Sequence, residues 1–489
     1  MKQEILKKDI AKSIEIISSK IAYNANFVKR EISIKGNINC CILYMKGISD
    51  NKYIEEIILK PLLLHIESPI EKNKISAREI ARKYILSSDI EFESSIENLI
   101  YFISSGKCVI LVDGATEAIV CSAKSDAYRS IDESRSEKSV LGTRESFVEN
   151  LDLNIAMIQR KIQNPNLKIE KYKIGNKTKT DVVLTYIEGV IDPQVLSEIK
   201  KRINEIKTPV MLTSGILEQF IEKKTFSIFP QCKNTERPDK VVFDLLEGKA
   251  ALFVAETPAA LVVPAVFIEF FQSIEDYSER TILSNFSRLM RFIALVTVLI
   301  LEPIYLVLLS YNPGLLPYKL ILVIISSRQG IPLPPILEIL AMDIAIEILR
   351  EGGLRLPSPV GTTLAIVGGI VIGDAAVSAH LVSNMTLFIV AITVVSTFLI
   401  PSYEMTLSIR FLRFPLIILA QAFGFLGLLA GLFMLIVIII DLESFGIPYF
   451  SPMAPQRIKD DLRDTMVRAP LKESLKEAVT FKLSLRRKK

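Results

Sequence analysis

The sequence contains few of the residues that enzymes and metal sites most often use. It has two histidines, His65 and His380, and five cysteines with no CxxC pair, so a zinc site of the cysteine and histidine type is not predicted. Catalysis would require a nucleophile beside a base, and neither histidine has an evident partner. We therefore predict no catalytic residue, no metal site and no cofactor, and we expect reduced cysteines packed inside a cytosolic domain.

The net charge and the amino-terminal sequence argue against two further classes, nucleic-acid-binding proteins and secreted proteins. A net charge of +5 over 489 residues, with no arginine-rich or aromatic-interleaved stripe, does not favour binding to nucleic acid. The first residues, MKQEILKKDIAKSIEII, alternate charge with isoleucine and lack a continuous apolar core, so no secretory signal is predicted. The amino-terminal half is expected to stay in the cytoplasm.

Hydropathy divides the chain into two halves. The hydrophobic fraction is 50% and the mean hydropathy is +0.36, which is high for a soluble protein. Up to about Met290 the sequence mixes Lys, Glu, Ser and Ile, whereas Arg291 to Asp441 carries long apolar runs with few charges. The predicted fold class is an α/β cytosolic amino-terminal half with two subdomains, followed by an all-α polytopic membrane domain that contains a proline-broken helix.

Shifts in composition predict the domain boundaries. No internal repeat is apparent in the sequence. The predicted parts are an amino-terminal segment (1–27), a first α/β subdomain (28–124), a charged connector (125–144), a second α/β subdomain with a juxtamembrane helix (145–290), a transmembrane domain (291–441) and a basic cytoplasmic tail (442–489).

Short motifs place turns in the α/β half. Asp113-Gly114 lies between two β-rich runs and predicts a hairpin; the alternative of a phosphate-binding loop lacks the GxxxxGK pattern that it would need. TERPD, from Thr235 to Asp239, predicts a turn and helix start around Pro238. A second hairpin is predicted within Gly248 to Val263.

About 20 apolar residues are needed to span the hydrocarbon layer as a helix. Tyr318 to Leu349 is also apolar, but its prolines in GIPLPP remove backbone donors, which predicts two half-helices. The predicted spans are Phe292–Ser310, Val360–Val382, Met385–Tyr403 and Phe414–Ile440.

Charged residues lie within these apolar segments. Each unpaired charge near a bilayer centre costs about 2.5–3.5 kcal/mol, so such residues need partners or water. At 100° per residue, Asp343, Glu347 and Arg350 share one helix face. One interpretation is a polar permeation path; the other is pairing of Glu347 with Arg350, with the remaining acids at the interface or against another subunit. The candidate residues are Glu302, Glu338, Asp343, Glu347, Arg350 and Asp374.

Glycine spacing and the tail add two expectations. Gly369 with Gly373, and Gly427 with Gly431, form GxxxG spacings that allow helices to approach closely. From Gln456 the tail carries eleven Lys or Arg residues against five acids, which predicts a cytoplasmic end. The number of crossings should then be even, four or six according to whether the halves of the broken segment each cross, whereas five would place the tail outside.

Several segments together resemble the A subunit of the GerA family of spore germinant receptors. The resemblance runs from about Ser136 to Pro455. It is carried by SEKSVLGTRESFVENLDLNIAMIQRKI, KTDVVLTYIEG, TERPD, LLEGKAALFV, FIEFFQSIEDYSER, SRQGIPLPPILEILAMDIAIEILREGGLRLPSPVG, IVGGIVIGDAAV, RFPLIILAQAFG and SFGIPYFSPMAP.

The resemblance implies a protein of the spore inner membrane that acts with receptor B and C subunits. Members of the family are thought to form homo-oligomers around an ion-conducting path, with the acidic broken-helix region near it. The family generally places binding of the small-molecule germinant in the B subunit, so the resemblance gives no ligand residues for this chain.

The chain departs from the family pattern at three positions. The family usually has leucine where Glu302 stands, a neutral residue at Asp374 and a small residue at His380. If the additional acids face a pore, this member should be more cation-selective or more sensitive to pH. The first hundred residues match the family only loosely.

Two other functions are compatible with the sequence. A SpoVAF-type protein, which acts with the dipicolinate release channel, resembles the same A subunit. A secondary transporter would also place acids beside a broken helix, although no inverted repeat is found.

Overall fold

The computed structural model describes residues 4–21, 24–34, 38–64, 76–124, 137, 142–356, 358–454, 465, 467 and 468, and for 358–367 the backbone alone. In these ranges the amino-terminal half contains two antiparallel sheets with helices packed on them. The carboxy-terminal half consists of apolar helices followed by a two-stranded ribbon, β11 (Glu443–Ser444) and β12 (Ile447–Pro448). The predicted fold class, an α/β half followed by a helical half, is confirmed.

The first subdomain is a five-stranded sheet in the order β1-β2-β4-β5-β3, with every pair antiparallel. Its α1 helix belongs to the predicted amino-terminal segment, yet Ile14 and Ile17 lie in the core beneath the sheet. The elements are α1 (Ile10–Lys20), β1 (Phe27–Ile34), β2 (Ile38–Met45), α2 (Asn51–Tyr53) continuing through a π-helical stretch (Ile54–Leu59) into α3 (Lys60–Leu64), α4 (Ala77–Tyr84), β3 (Ile90–Glu93), α5 (Ile96–Ser104), β4 (Cys108–Val112) and β5 (Ala118–Cys121).

The second subdomain is also a five-stranded antiparallel sheet, in the order β6-β7-β9-β10-β8. Both predicted hairpins are confirmed, since β4 pairs with β5 across Asp113-Gly114 and β9 pairs with β10. The elements are α6 (Leu151–Lys161), β6 (Leu167–Ile174), β7 (Thr180–Ile187), α7 (Pro193–Glu205), α8 (Ser214–Ile221), β8 (Lys233–Thr235), α9 (Pro238–Leu246), β9 (Ala250–Val254) and β10 (Ala260–Val263).

The second subdomain repeats the architecture of the first. By rank, both sheets have the strand order 1-2-4-5-3, and each begins with a helix and has a helix between its third and fourth strands. From β2 onward most elements correspond at an offset of 142 residues, as for β2 with β7 and α5 with α9, whereas α4 and α8 are offset by 137. The prediction that the chain has no internal repeat is therefore wrong at the level of structure.

The correspondence extends to turns that require special backbone geometry. Gly106 and Gly248 have φ of +91° and +93°, a region that glycine adopts without strain. A Cβ atom would lie 3.0 Å from the carbonyl oxygen of Ile48 at Gly106 and of Val190 at Gly248. The repeat is hard to read from sequence because few aligned residues are identical. They include turn residues such as Gly106 and Gly248 and strand residues such as Tyr44 and Tyr186, while most other strand positions carry different apolar side chains.

The charged connector contacts the second subdomain at the residue that the structure describes. Glu137 accepts hydrogen bonds from the Thr235 hydroxyl at 2.6 Å and from Lys240 Nζ at 2.8 Å. Thr235 Oγ1 also accepts from the Arg237 N–H, and Pro238 is the first residue of α9, so the predicted turn and helix start are confirmed. The charged connector is therefore attached at Glu137 to Thr235 and Lys240 of the second subdomain.

A buried lysine distinguishes the second copy from the first. Lys249 Nζ lies 2.5 Å from Asp244 Oδ1 and 3.0 Å from Glu269 Oε1, and its side chain is 1% exposed. Burial alone would lower the pKa of Lys249, but the carboxylates of Asp244, Glu269 and Glu247 outweigh burial and hold that pKa well above its usual value. The network ties the sheet to the 3-10 helix Phe267–Phe271, which leads into the helical half.

The helical half begins earlier than predicted, because the first long helix includes the juxtamembrane segment. Its buried Arg288 and Arg291 both bind Asp276, at 3.0 and 2.6 Å. These arginines hold the pKa of Asp276 below its usual value although burial opposes them. The helices are α10 (Glu275–Ser278), α11 (Thr281–Ser310), α12 (Tyr318–Ser327), α13 (Pro335–Leu354), α14 (Ser358–Ser378), α15 (Asn384–Thr397) and α16 (Tyr403–Asp441), with a 3-10 turn at Pro313–Leu315.

The predicted break is present, but one predicted span is wrong. The segment from Tyr318 to Leu349 forms two helices, α12 and α13, separated at GIPLPP. The run Phe414–Ile440 is not one straight helix, because Gly424 has φ 61° and ψ −140° within α16. A Cβ at Gly427 would lie 2.0 Å from the Leu419 carbonyl oxygen, and one at Gly431 would lie 2.6 Å from Leu416.

Residues that would be far apart in a continuous helix thus touch one another. Since each residue adds 1.5 Å of rise, Gly431 and Leu416 would be about 22 Å apart in a straight α16. The Ser408 hydroxyl donates to the Ile228 carbonyl, and Lys224 binds Asp441, so both ends of α16 lie against the same part of the second subdomain. We conclude that α16 is a hairpin of two limbs, 403–423 and 424–441, joined at Gly424.

The contacts define the direction of each helix. We call the end beside the second subdomain the near end and the opposite end the far end. Tyr311, just after α11, packs against Gly424 at the far end, so α11 runs from the near end to the far end. Arg350, late in α13, binds Thr397, the last residue of α15, so α13 and α15 end on the same side. Gly368 of α14 contacts Leu349, late in α13, and Gly373 contacts Leu387, early in α15. The helix α14 therefore runs from the near end to the far end. Among the described residues, α11, α13, α14, α15 and the two limbs of α16 are six limbs that alternate in direction.

The outer surface of this half is apolar. Leu426, Phe433 and Ile348 are 77%, 68% and 66% exposed, which is unusual for large apolar side chains in water. By length and composition, the described stretches long and apolar enough to cross a membrane are α11 and α16, the latter counted over both of its limbs. The ribbon after α16 returns to the near end, where the Phe267 N–H donates to the Tyr449 carbonyl at 2.8 Å.

Replacing Lys249 with methionine should strongly destabilise the α/β half. The change leaves Glu269 and Asp244 buried with less compensation, and removal of one partner from a buried ion pair costs about 3–5 kcal/mol. Lys107→Met is the control at the equivalent position of the first copy, where the partner Glu91 is half exposed and a cost of about 0–1 kcal/mol is expected. Thermal unfolding of the full chain in detergent measures both, and equal shifts would contradict the assignment.

Replacing Gly427 with alanine should disrupt the α16 hairpin. The added methyl would overlap the Leu419 carbonyl oxygen, and such overpacking costs about 1–3 kcal/mol or more. Gly369→Ala is the control, because a Cβ there meets no described atom within 4 Å. Fluorescence-detected gel filtration after heating in detergent would show early loss of the monodisperse peak for Gly427→Ala alone; a straight α16 would tolerate both changes.

Candidate functional site

A buried cluster of charges joins three helices at the centre of the helical half. Arg413, in the first limb of α16, contacts Glu302 of α11 (Nη1–Oε1, 3.3 Å) and Asp343 of α13 (Nη2–Oδ1, 3.0 Å). The two acids are fully buried and Arg413 is 1% exposed. Glu347 lies one turn along α13, where its Oε1 accepts from Arg410 Nε at 3.0 Å and lies 4.0 Å from Arg413.

The cluster contains more acid than base. Three carboxylates face two guanidinium groups, and Arg413 is shared among all three. Oε2 of Glu302, Oδ2 of Asp343 and Nε of Arg413 make no well-formed hydrogen bond to a described residue, although the Glu302 carboxyl also lies near Thr393 and Asp343. Buried polar atoms normally find partners because desolvation is costly, so these oxygens can accept from water or bind a cation.

The cluster lies midway between the two ends of the helices. Arg413 is ten residues from each end of the first limb of α16, 403–423, which is about 15 Å of helix on either side. Pro303 follows Glu302 directly within α11, and a proline there removes a backbone donor beside the acid. If the limbs cross a bilayer, the charges are therefore close to its middle.

Glu338 belongs to a second polar cluster, at the far end. Its Oε1 binds Arg328 across the GIPLPP break at 2.9 Å, and its Oε2 accepts from the Ser383 N–H and the Thr386 hydroxyl, each at 3.0 Å. Tyr305 of α11 also contacts Thr386 at 3.2 Å. One carboxylate thus fixes the end of α12, the start of α13 and the start of α15.

The remaining predicted residues lie elsewhere. Arg350 contacts the Thr397 hydroxyl at 3.4 Å and the ring of Phe398, so the alternative that pairs Glu347 with Arg350 is wrong: Glu347 pairs with Arg410. Asp374 is exposed on α14. His380 is exposed with φ of +55°, and His65 lies outside the described residues.

The two glycine pairs also differ. Gly427 and Gly431 are buried where the limbs of α16 meet, whereas Gly369 is exposed and Gly373 makes only ordinary contact with Leu387 at 3.8 Å. Within one chain, the close helix packing expected from a GxxxG spacing is found at Gly427 and Gly431 and not at Gly369.

Sequence reasoning missed the basic members of both clusters. Arg410 and Arg413 precede the apolar run that was predicted to begin at Phe414, so they resembled flanking charges at a membrane surface. Arg328 stands just before the proline break and similarly resembled a loop residue. For Arg410 and Arg413, the available signal was their spacing at i and i+3 with apolar sequence on both sides, which indicates charges inside a membrane segment.

Comparisons with known proteins agree on one family. The model of the Bacillus/Clostridium GerA spore germination protein family matches residues 15–479. This range includes most of the first hundred residues, which matched the family only loosely by motif.

Individual relatives cover most of the chain. It is 39% identical to the uncharacterized membrane protein YfkQ of Bacillus subtilis over 91% of this chain and 86% of the relative. It is 38% identical to spore germination protein KA of the same organism, over 94% and 85%. A crystal structure of the N-terminal domain of the A subunit of the Bacillus megaterium spore germinant receptor GerK3 aligns with a TM-score of 0.42 and 30% identity, covering 55% of this chain and 99% of that one.

Replacing Arg413 with glutamine should destabilise the helical half, because Glu302 and Asp343 would remain buried without their shared cation. Loss of one partner of a buried ion pair costs about 3–5 kcal/mol. Adding Glu302→Gln should restore part of that loss, since one uncompensated charge is removed. Arg355→Gln is the control, because Arg355 and its partner Glu351 are 78% and 65% exposed. Thermal unfolding in detergent gives the double-mutant cycle, and purely additive effects would contradict direct coupling.

Proposed function

Because this chain belongs to the GerA family of Bacillus and Clostridium spore germination proteins, we propose that it is the A subunit of a nutrient germinant receptor in the spore inner membrane. In this proposal it acts with receptor B and C subunits, and the germinant is bound mainly by the B subunit. Copies of the chain associate around an ion-conducting path that they form or gate. Ion release through this path triggers germination.

The observation that carries the proposal is the acid-rich cluster around Arg413. A purely structural role would favour balanced charges with complete hydrogen bonding, because uncompensated acids inside an apolar layer are costly. Here three carboxylates share two arginines, and several of their polar atoms make no well-formed hydrogen bond to a described residue. Such a cluster can exchange partners or bind a cation when the helices move.

The arrangement of limbs supports a membrane orientation. Six limbs of alternating direction, with the ribbon after α16 returning to the second subdomain, place the α/β half and the start of the tail at one end. The eleven basic residues of the tail favour the cytoplasmic side for that end. The exposed apolar side chains of α13 and α16 then face lipid or neighbouring subunits.

A gate at this position would use the geometry of Glu347. It binds Arg410 at 3.0 Å and lies 4.0 Å from Arg413, so a small shift of α13 along α16 exchanges one arginine for the other. A germinant signal that reaches α13 through partner subunits would bias this exchange. Cation passage is the outcome expected from the excess of acid.

Neutralising Asp343 or Glu347 should change ion flux. The experiment uses liposomes that contain the purified full chain, alone and with its B and C partners, and compares the wild type with Asp343→Asn and Glu347→Gln. We expect reduced flux or reduced preference for cations in both variants, because the excess negative charge is removed. Glu351→Gln is the matched control, as Glu351 is an exposed acid on the same helix.

The outcomes separate a conducting role from a structural one. Normal flux and selectivity in both folded variants would show that Asp343 and Glu347 serve only in structural ion pairs. The assignment of these acids to an ion-conducting path would then be overturned. Absence of flux in every sample, with the partners present, would contradict the channel role and favour a scaffold. Gel filtration of each variant reports folding independently of flux.

A further inference from the structure

Two glutamates and a cysteine converge where the second subdomain meets the helical half. Glu218 lies on α8 and Glu222 directly follows that helix; their spacing of four residues places both side chains on one face. Cys232 precedes β8 and is fully buried. The two carboxylates and the thiol offer ligand atoms that all lie within 4.8 Å of one another.

The charges around this cluster are poorly compensated. The carboxyl groups of Glu222 and Glu404 both lie near that of Glu218. Arg202 is a cation near the Cys232 thiol, and it is already bound to Glu198 at 2.9 Å. A metal cation would supply the missing positive charge.

A second observation points to a ligand at the same place. Tyr449, from the segment after α16, is fully buried, and its hydroxyl has no hydrogen-bond partner among the described residues. The charged groups near that hydroxyl are Glu222, Glu269, Glu404 and Cys232, so it lies close to the cluster. A buried hydroxyl without a partner is unusual, and a metal-bound water or the metal itself would satisfy it.

We propose that Glu218, Glu222 and Cys232 form a binding site for a divalent transition metal, with zinc as the best fit. Zinc accepts thiolate and carboxylate ligands with bonds of about 2.0–2.3 Å, so tetrahedral ligands lie about 3.3–3.8 Å apart. The observed separations need only small side-chain movements to reach that geometry. Binding releases the thiol proton of Cys232 and leaves a thiolate on the metal.

The position of the site gives it a structural consequence. Glu404 stands in the first turn of α16, and Ser408 of the same helix donates to the Ile228 carbonyl, in the loop between α8 and Cys232. A metal held by α8 and that loop stiffens the support on which α16 begins. Spacing of cysteine and histidine does not reveal the site, because two of its three ligands are glutamates.

The test measures zinc on the purified full chain in detergent, after metal removal, zinc addition and gel filtration. Mass spectrometry of the metal should give about one zinc per chain, and Cys232→Ser and Glu218→Gln should weaken zinc binding by more than about tenfold. The controls are Cys121→Ser, a buried thiol of the first subdomain, and Glu205→Gln, an exposed acid. Both controls should bind zinc as the wild type does.

Two further measurements keep failure of folding apart from loss of the site. Zinc should raise the unfolding temperature of the wild type and of both controls but not of the two ligand variants, and metal-free Glu218→Gln should be at least as stable as metal-free wild type because it removes repulsion. Cobalt should give a sulfur-to-metal charge-transfer band that Cys232→Ser lacks. Zinc binding unchanged in folded ligand variants, or no zinc on folded wild type, would overturn the proposal.

Discussion

The guanidinium of Arg413 holds the helical half together. It is the one group that touches acids from two other helices, Glu302 of α11 and Asp343 of α13, among the described residues of α16. In an apolar surrounding each of these charges would be too costly alone. The positions of α11, α13 and the first limb of α16 are therefore mutually constrained, and the hairpin at Gly424 brings the second limb back against this core.

The junction between the halves depends on similar chemistry. Asp276 is bound by Arg288 and Arg291 at the start of α11, and Lys249, just before β9 of the second sheet, binds Asp244 and Glu269. Such buried pairs are directional, so they set how an α/β subdomain meets a helix where apolar contacts alone would allow sliding. A movement of the second subdomain can thus reach α11 without a flexible linker.

Equivalent positions in the two copies of the structural repeat can be compared directly. Both copies keep the turn glycines, Gly106 and Gly248, and the helix-capping acids Asp50 and Asp192. Lys107 in the first copy pairs with a half-exposed acid, whereas Lys249 in the second is buried among three. The copy that contacts the helical half is the one in which this lysine forms a buried ionic network.

The sequence by itself determined that the first half of the chain is suited to water and the second to an apolar surrounding, because hydropathy is a local property. It also determined the hairpins at Asp113-Gly114 and within Gly248 to Val263 and the break at GIPLPP, because positive φ and missing backbone donors act locally. It also indicated that Glu302, Asp343 and Glu347 need partners. Only the tertiary structure decided which partners they have, since Arg410 and Arg413 lie more than sixty residues away along the chain. The fold-back at Gly424 and the repeat were likewise decided by packing. A glycine in an apolar run carries no local signal of long-range contact, and too few residues are identical between the two copies to reveal the repeat.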